Sequence, residues 1–420
     1  VDGSDVHAAA SFGSGTGNSI KIHSVNKFPD SVGLLYSAFT HYCGFNPNAD
    51  EYKLMGLAPY GEPSYVDLTL EKLIKLKADG SIRLNSRYFN FRSRHKMINH
   101  RFNDLFGGSP RKEGEEIEKR HKDLARSVQT VTEMILMNMV NRLHRETGLE
   151  NLCMAGEMAL NCVANGRILR EGPFKRMWIQ PASSDAGCAL GAAFMGWYGH
   201  MDKSRRVKPG KDMQKMSLLG PSYSDEEIER YLRQNNIQYT KPKRGDLLKK
   251  VAILLNAQKT VGWFQGKMEF GPRALGNRSI LADPRSKNMR DIINSKVKFR
   301  EPFRPFAPSV LLGKAGEYFD LGCENPYMLF VSKVKKKGFP AITHVDNSAR
   351  AQTVRHKDNP LFYDLINRFY KDYGSPMVVN TSFNRMGEPI VCTPEDAYKC
   401  FIGTDMDCLV MGSFLIGKKR

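Results

Sequence analysis

Residues 261–285, VGWFQGKMEFGPRALGNRSILADPR, limit what this chain can fold into more than any other stretch. VGWF is an apolar and aromatic run that breaks at Gly266, so it reads as a short, buried strand. The loop behind it sets Gly266, Gly271, Pro272 and Gly276 among Lys267, Arg273 and Arg278. A loop with so little bulk and so many cations suits a compact anion. Arginine offers a planar fork matched to phosphate or carboxylate oxygens, and glycine lets backbone N–H groups approach the same oxygens. FREPFRPFAPSV at 299–310 adds Arg300 and Arg304, with Pro302 and Pro305 fixing the backbone between them, so at least four guanidinium groups can converge on one pocket. A single arginine more often ends in a surface ion pair. Like charges this dense repel one another unless an anion joins them.

With 420 residues, 41% of them hydrophobic, the chain can build two or three cores, and a multidomain globular protein is expected. Its net charge of +19 favours anionic partners such as nucleotides, phosphorylated metabolites and nucleic acid. Part of that excess sits in runs at 203–211, 335–337 and 418–420, which read as solvated faces. No nucleic-acid-binding motif accompanies them, so nucleic acid is not the favoured partner. The eight cysteines form no CxxC pair, which points to reduced thiols and the cytoplasm rather than to zinc or disulfides. No apolar run is long enough to span a bilayer, so no membrane partner is expected. The sequence opens in what reads as the middle of a domain, with an N-terminal piece expected before Val1.

Taken in order, SFGSGTGNSIKIHSV reads as a hairpin with a glycine turn, and His7 ahead of it as an ordinary strand residue. Ser31 caps a helix through Tyr42. Glu51 and Lys53 suit either ribose and phosphate contacts or a helix-start ion pair. Residues 62–112 read as charged and irregular, and Arg92, Arg94, His95 and His100 fit no metal template. A long helix is expected from about 113 to 147, stopped by Gly148. LCMAG, GEM and ALNCVANGRILR then give a strand, a glycine turn and a helix N-terminus, a geometry that binds anions. A second such unit, MWIQPASSDAGCALGAAF, carries Asp185 at its turn, where a carboxylate caps a helix or holds a metal. A charged linker at 203–216 separates a first domain, 1–202, from a second, 217–420. In the second, 341–354 alternates as two strands do and places Arg350 toward the anion pocket. MVVNTSFN at 377–384 is a buried strand ending in hydroxyl and amide groups suited to a planar amide ligand.

Together MGLAPYG, MAGEMALNCVANGRI, IQPASSDAGCALGAA, the 261–285 stretch, REPFRPFAPSV, ITHVDNSARAQTV and NTSFNRMGEPIV resemble the antibiotic and nodulation-factor O-carbamoyltransferases over nearly the whole chain. The resemblance implies an α/β (α+β) protein. An N-terminally incomplete Kae1-like domain of the actin, Hsp70 and sugar kinase type would be followed by a YrdC-like domain. It implies that ATP and carbamoyl phosphate give carbamoyl adenylate and pyrophosphate, and that the carbamoyl group then passes to a hydroxyl of a small-molecule, sugar or nucleoside acceptor. Splitting one acylation through an activated intermediate makes both halves easier.

Carried over by motif, Lys267, Arg273, Arg278, Arg300, Arg304 and Arg350 become ligands of carbamoyl phosphate and nucleotide, with Asn380, Ser382 and Asn384 beside the carbamoyl group. Gly156 and Asn161 match the nucleotide-binding turn, and Asp185 matches a metal-ligating aspartate, for Fe(II). No HxxxH pair occurs in the chain to complete that metal site, and Glu157 replaces a glycine common in the family, where it repels phosphate or binds Mg²⁺. The competing expectations are a nucleotide-binding module that has lost catalysis and an acceptor hydroxyl on a nucleic acid.

Overall fold

The computed structural model describes residues 8–77, 80–91, 97–208 and 212–418, which leaves His7, Arg92, Arg94 and His95 outside the described residues. The chain forms two compact α/β units, Val1–Val207 and Lys208–Arg420.

In the first unit the expected hairpin forms from β1 (Ala10–Thr16) and β2 (Ser19–Asn26), turning through Gly17 at φ 61°. Ser31 Oγ accepts the Leu34 N–H at 3.1 Å and starts the helix Val32–Tyr42. That helix buries Phe39 and Tyr42 against Phe102 and Phe106. The region expected to be irregular contains a second hairpin, β3 (Ile74–Leu76) with β4 (Ile82–Leu84), and the helix His100–Leu105. Its apolar residues are few and spaced among charges, but Ile74, Ile82, Leu84 and Phe102 all reach the core. The long helix runs Lys119–Thr147, beginning later than 113 because Glu118 and His121 close a capping box there. Leu124, Val128, Val131 and Ile135 line its fully buried stripe, and Gly148, at φ 63°, stops it. β5 (Asn151–Met154) and β6 (Arg176–Ile179) pair in parallel through the helix Cys162–Glu171, and the helix Asp185–Phe194 follows.

The second unit contains β7 (Val261–Phe264), β8 (Arg278–Ala282), β9 (Ala307–Leu311), β10 (Ser332–Lys333), β11 (Ser348–Ala349), β12 (Gln352–Val354), β13 (Met377–Ser382), β14 (Cys408–Met411) and β15 (Phe414–Gly417). β10 and β11 pair separately, and the other seven form one mixed sheet in the order β12-β9-β13-β8-β7-β14-β15. Strand residues alternate strictly between two cores. Trp263, Leu281 and Val378 pack with the helices Arg244–Asn256 and Pro360–Tyr373. Phe264, Ile280 and Val379 pack with Asp225–Gln234 and Pro394–Ile402. Both faces are covered, which is why these strands read as continuous apolar runs. The alternation at 341–354 gives strands only in its second half. Residues 341–345 are held as a turn, with Ala341 N–H on the Pro284 carbonyl and Ile342 N–H on that of Phe339.

Candidate anion-binding site at one end of the sheet

The strand directions determine which loops can meet. β9 and β12 run parallel, with Ser309 opposite Gln352, and β9 is antiparallel to β13, with Ala307 opposite Asn380. β13 is antiparallel to β8, with Ser382 opposite Ser279, and β8 to β7, with Arg278 opposite Phe264. The ends of β7 and β13 and the beginnings of β8, β9 and β12 therefore share one end of the sheet. Lys267 and Arg273, Arg278, Arg300 and Arg304, Arg350, and Ser382 with Asn384 all lie at or beside those strand ends. The topology thus gathers residues that are scattered over 118 positions of sequence, from 267 to 384.

The glycine-rich loop at this end is pinned from inside. Glu269 is buried, and its Oε1 accepts the N–H groups of Leu275 at 2.7 Å, Asn277 at 2.8 Å and Arg278 at 3.3 Å. Burial pushes its carboxyl upward, and the hydrogen bonds from those amides oppose the shift. The Gly276 N–H goes to Ser279 Oγ at 3.1 Å, and the Gly276 carbonyl takes the Trp263 indole N–H at 3.0 Å. Gly276 sits at φ 109°, and a Cβ there would lie 2.3 Å from the Phe362 ring. The amides of residues 275–278 are thus spent within the protein. Those four amides, including that of Gly276, are therefore not free for an anion.

Arg278 also faces inward. It is fully buried, donates to the carbonyls of Gln265 at 2.6 Å and Pro221 at 3.2 Å, and lies 3.7 Å over the Phe264 ring. Burial pushes its guanidinium down to about 10. The structure makes it a prop of the loop. Asn380 belongs to the same scaffold, its Nδ2 lying 3.2 Å from the Ala274 carbonyl, 2.9 Å from Ser309 Oγ and 3.0 Å from Gln352 Oε1. Its buried Oδ1 has no hydrogen-bond partner, and neither has the Nε of Arg350.

The residue that sequence reasoning missed is Lys298. It ends a π-helical turn, Ile293–Lys298, only 3% of it is exposed, and all four of its acceptors are neutral oxygens. Its Nζ reaches the Ser382 carbonyl at 2.8 Å, Ser382 Oγ at 3.1 Å, the Asn384 carbonyl at 2.9 Å and Asn384 Oδ1 at 2.5 Å. Burial first, then the guanidinium groups of Arg300 and Arg304, hold its pKa well below the usual lysine range. Arg300 is aimed by Asn294, whose Oδ1 accepts its Nε at 2.7 Å, and stacks 4.5 Å from the Phe306 ring; Arg304 pairs with Glu301 at 3.4 Å. Lys298, Arg300 and Arg304 lie near one another with Glu301 on Arg304 and Glu388, itself paired with Arg385, as the acids beside them, an arrangement that favours an added anion. The only signal in the sequence was a lysine two residues before Arg300, inside the apolar run VKF.

In the first unit Gly156, at φ 92°, opens the turn ahead of Asn161. Asn161 Oδ1 caps the next helix through the Ala164 N–H at 3.0 Å, and its amide pairs with Gln129 at 3.0 and 3.2 Å. Lys53 pairs with Asp50 at 2.9 Å, and Glu51 accepts the Ser37 hydroxyl at 2.6 Å, which is the ion-pair version of that segment. Asp185 is exposed in the first turn of its helix. Among the described residues no group of three or more His, Cys, Asp or Glu could hold a metal ion.

The profile described as "Carbamoyltransferase N-terminus" matches residues 1–194, and "Carbamoyltransferase C-terminus" matches residues 252–418. The chain belongs to the carbamoyltransferase family of enzymes. An uncharacterised protein of Synechocystis is 50% identical over 100% of this chain and 72% of its own length. The nodulation protein NolNO of Sinorhizobium fredii is 39% identical over 100% of this chain and 60% of its own, and NolO of Bradyrhizobium diazoefficiens 38% identical over 96% and 72%. The chain therefore spans 60% to 72% of the length of these three relatives. Full-length HypF in its phosphate- and nucleotide-bound form is similar at 16% identity over 46% of this chain and 22% of that one, with a TM-score of 0.28, too slight a likeness to carry an inference.

Proposed function

We propose that this protein is an ATP-dependent O-carbamoyltransferase whose second unit, Lys208–Arg420, makes carbamoyl adenylate from carbamoyl phosphate and ATP. The observation that carries this reading is the cluster of Lys298, Arg300 and Arg304 beside Ser382 and Asn384, in a chain of the carbamoyltransferase family. For pyrophosphate to leave ATP, an oxygen of the carbamoyl group must attack the α-phosphorus, so water first takes the phosphate from carbamoyl phosphate and leaves carbamate. Lys298 and the arginines bind the phosphoryl oxygens and stabilise charge as it develops, and Ser382 and Asn384 offer a donor and acceptors to the carbamoyl amide. An acceptor hydroxyl, on a small molecule, sugar or nucleoside, then displaces AMP and gives up its proton.

The reading includes a Kae1-like first domain, 1–202, that performs the transfer, a linker at 203–216 and a YrdC-like second domain, 217–420. Asp185 is a ligand for Fe(II) in that scheme and Glu157 for Mg²⁺, but one exposed carboxylate does not hold a catalytic metal alone. Eight free thiols accord with a reducing compartment such as the cytoplasm, and no helix among the described residues is long and apolar enough to cross a membrane. The test is carbamoyl phosphate-dependent ATP–pyrophosphate exchange by the purified protein. Absence of exchange ends the adenylation reading, and Arg273→Ala with unchanged nucleotide binding removes Arg273 from it. Tight, salt-sensitive polynucleotide binding without turnover would favour the binding-module alternative instead.

A further inference from the structure

Phe299 stands between Lys298 and the half-buried Arg300, yet it is 46% exposed. Its backbone is left-handed, at φ 51°, which a bulky side chain rarely adopts and which persists only where the surroundings impose it. Here they do, because the N–H groups of both Phe299 and Arg300 turn back to the Asn294 carbonyl, the latter at 3.0 Å. The turn sends Lys298 into the protein and leaves the aromatic ring outside it. A second exposed apolar side chain springs from the adjoining backbone. The Met386 N–H donates to the Lys298 carbonyl at 3.0 Å, and Met386 is 54% exposed in the loop that follows Asn384. A ring and a thioether thus stand in water beside the buried Lys298 and the half-buried Arg300 and Arg304, where neither packs a core.

We infer that Phe299 and Met386 form the platform on which the planar base of a nucleotide stacks while its phosphates meet Lys298, Arg300 and Arg304. The inference rests on the nucleotide-binding part of the proposed function and adds the residues that recognise the base. Aromatic and thioether groups both pack well against a π-face, and neither selects one base by hydrogen bonding. The cations supply the charge complement for the phosphates, so one ligand with a flat apolar end and an anionic end accounts for both halves of the arrangement.

Titration calorimetry of the full chain with ATP and with inorganic tripolyphosphate separates the two ends. The unaltered protein is expected to bind ATP more tightly than tripolyphosphate. Phe299→Gly, which suits the left-handed backbone, should weaken ATP about tenfold or more. Met386→Ala, in an exposed loop, should weaken ATP by a smaller factor. Both variants should leave tripolyphosphate binding unchanged. Phe299→Trp should keep ATP affinity, with indole fluorescence quenched by ATP and not by tripolyphosphate. Equal loss of both ligands in Phe299→Gly, or ATP affinity untouched in both variants, overturns the platform. If tripolyphosphate binds the unaltered protein and ATP binds no better, the platform falls while the anion site stands. If neither ligand binds, the nucleotide reading itself is lost.

Discussion

Replacing Lys298 with methionine keeps the length of the stem and removes the charge, so it separates a cation held for a ligand from one held for the fold. Exchanging buried charged groups for apolar ones of similar volume is commonly neutral or stabilising, by about 1–4 kcal/mol where an ion pair is replaced, and a lone buried ammonium carries the same kind of desolvation cost. Against that, the oxygens of Ser382 and Asn384 lose their donor, at about 1–3 kcal/mol for each acceptor left dry. Ser382 Oγ still donates to Asn384 Oδ1 at 2.7 Å and the Ser382 carbonyl still accepts the Asn384 N–H at 3.1 Å, so of the four acceptors the Asn384 carbonyl is the one left dry. The two sides roughly cancel, and urea unfolding should shift by no more than about 2 kcal/mol. Carbamoyl phosphate loses a charge-assisted hydrogen bond worth about 1.5–3 kcal/mol, so its dissociation constant should rise about 10- to 150-fold by calorimetry.

The pH dependence carries the same signature. Below its lowered pKa Lys298 is charged in both the folded and the unfolded chain, and the full cost of its burial is present. As pH rises from that lowered value toward the ordinary lysine pKa of about 10.4, the native lysine loses its proton first. The unfolded chain then binds more protons, so the Lys298 contribution to stability improves with pH across that window. Lys298→Met should lack this component, and phosphate binding to the unaltered protein should take up a proton there. Unchanged ligand affinity together with a large loss of stability would refute the argument and make Lys298 a structural tie.

Gly276→Ala combines a left-handed φ of 109° with a Cβ 2.3 Å from Phe362, and should cost about 2–5 kcal/mol in urea unfolding. Glu269→Ala strands the amides of Leu275, Asn277 and Arg278 and should cost at least about 3 kcal/mol. Glu269→Gln keeps one accepting oxygen, the only one those three amides use, and should recover most of that loss in the same measurement. Asp185→Asn, exposed in the first unit, should leave pyrophosphate exchange at the level of the unaltered protein; a fall in exchange would tie Asp185 to the adenylation site.

The parts of the chain that were legible from sequence are those that short-range patterns determine. β7 follows from VGWF, the start of the first helix from Ser31, and the end of the long helix from Gly148, since each depends only on nearby residues. The glycine and arginine loop was equally plain, but its inside and outside were not. Arg273 and Arg278 lie five residues apart with similar neighbours, and only the closing of the loop on Glu269 commits Arg278 to carbonyls. Asn380 reads in sequence as a ligand contact, and the strand pairing β9–β13 turns its Nδ2 to Ser309 and Gln352. Lys298 could not be found by spacing at all. Its partners Ser382 and Asn384 are 84 and 86 positions away, and they meet it only because β13 ends beside the π-helical turn.

The central claim is that the cations gathered at this end of the sheet hold phosphorylated carbamate. A crystal of the protein soaked in carbamoyl phosphate tests it directly. Phosphoryl oxygens are expected within hydrogen-bond reach of Lys298 Nζ and the Arg300 guanidinium, with the carbamoyl amide toward Ser382 and Asn384. Density for the ligand elsewhere on the protein, with those side chains unmoved, would contradict it.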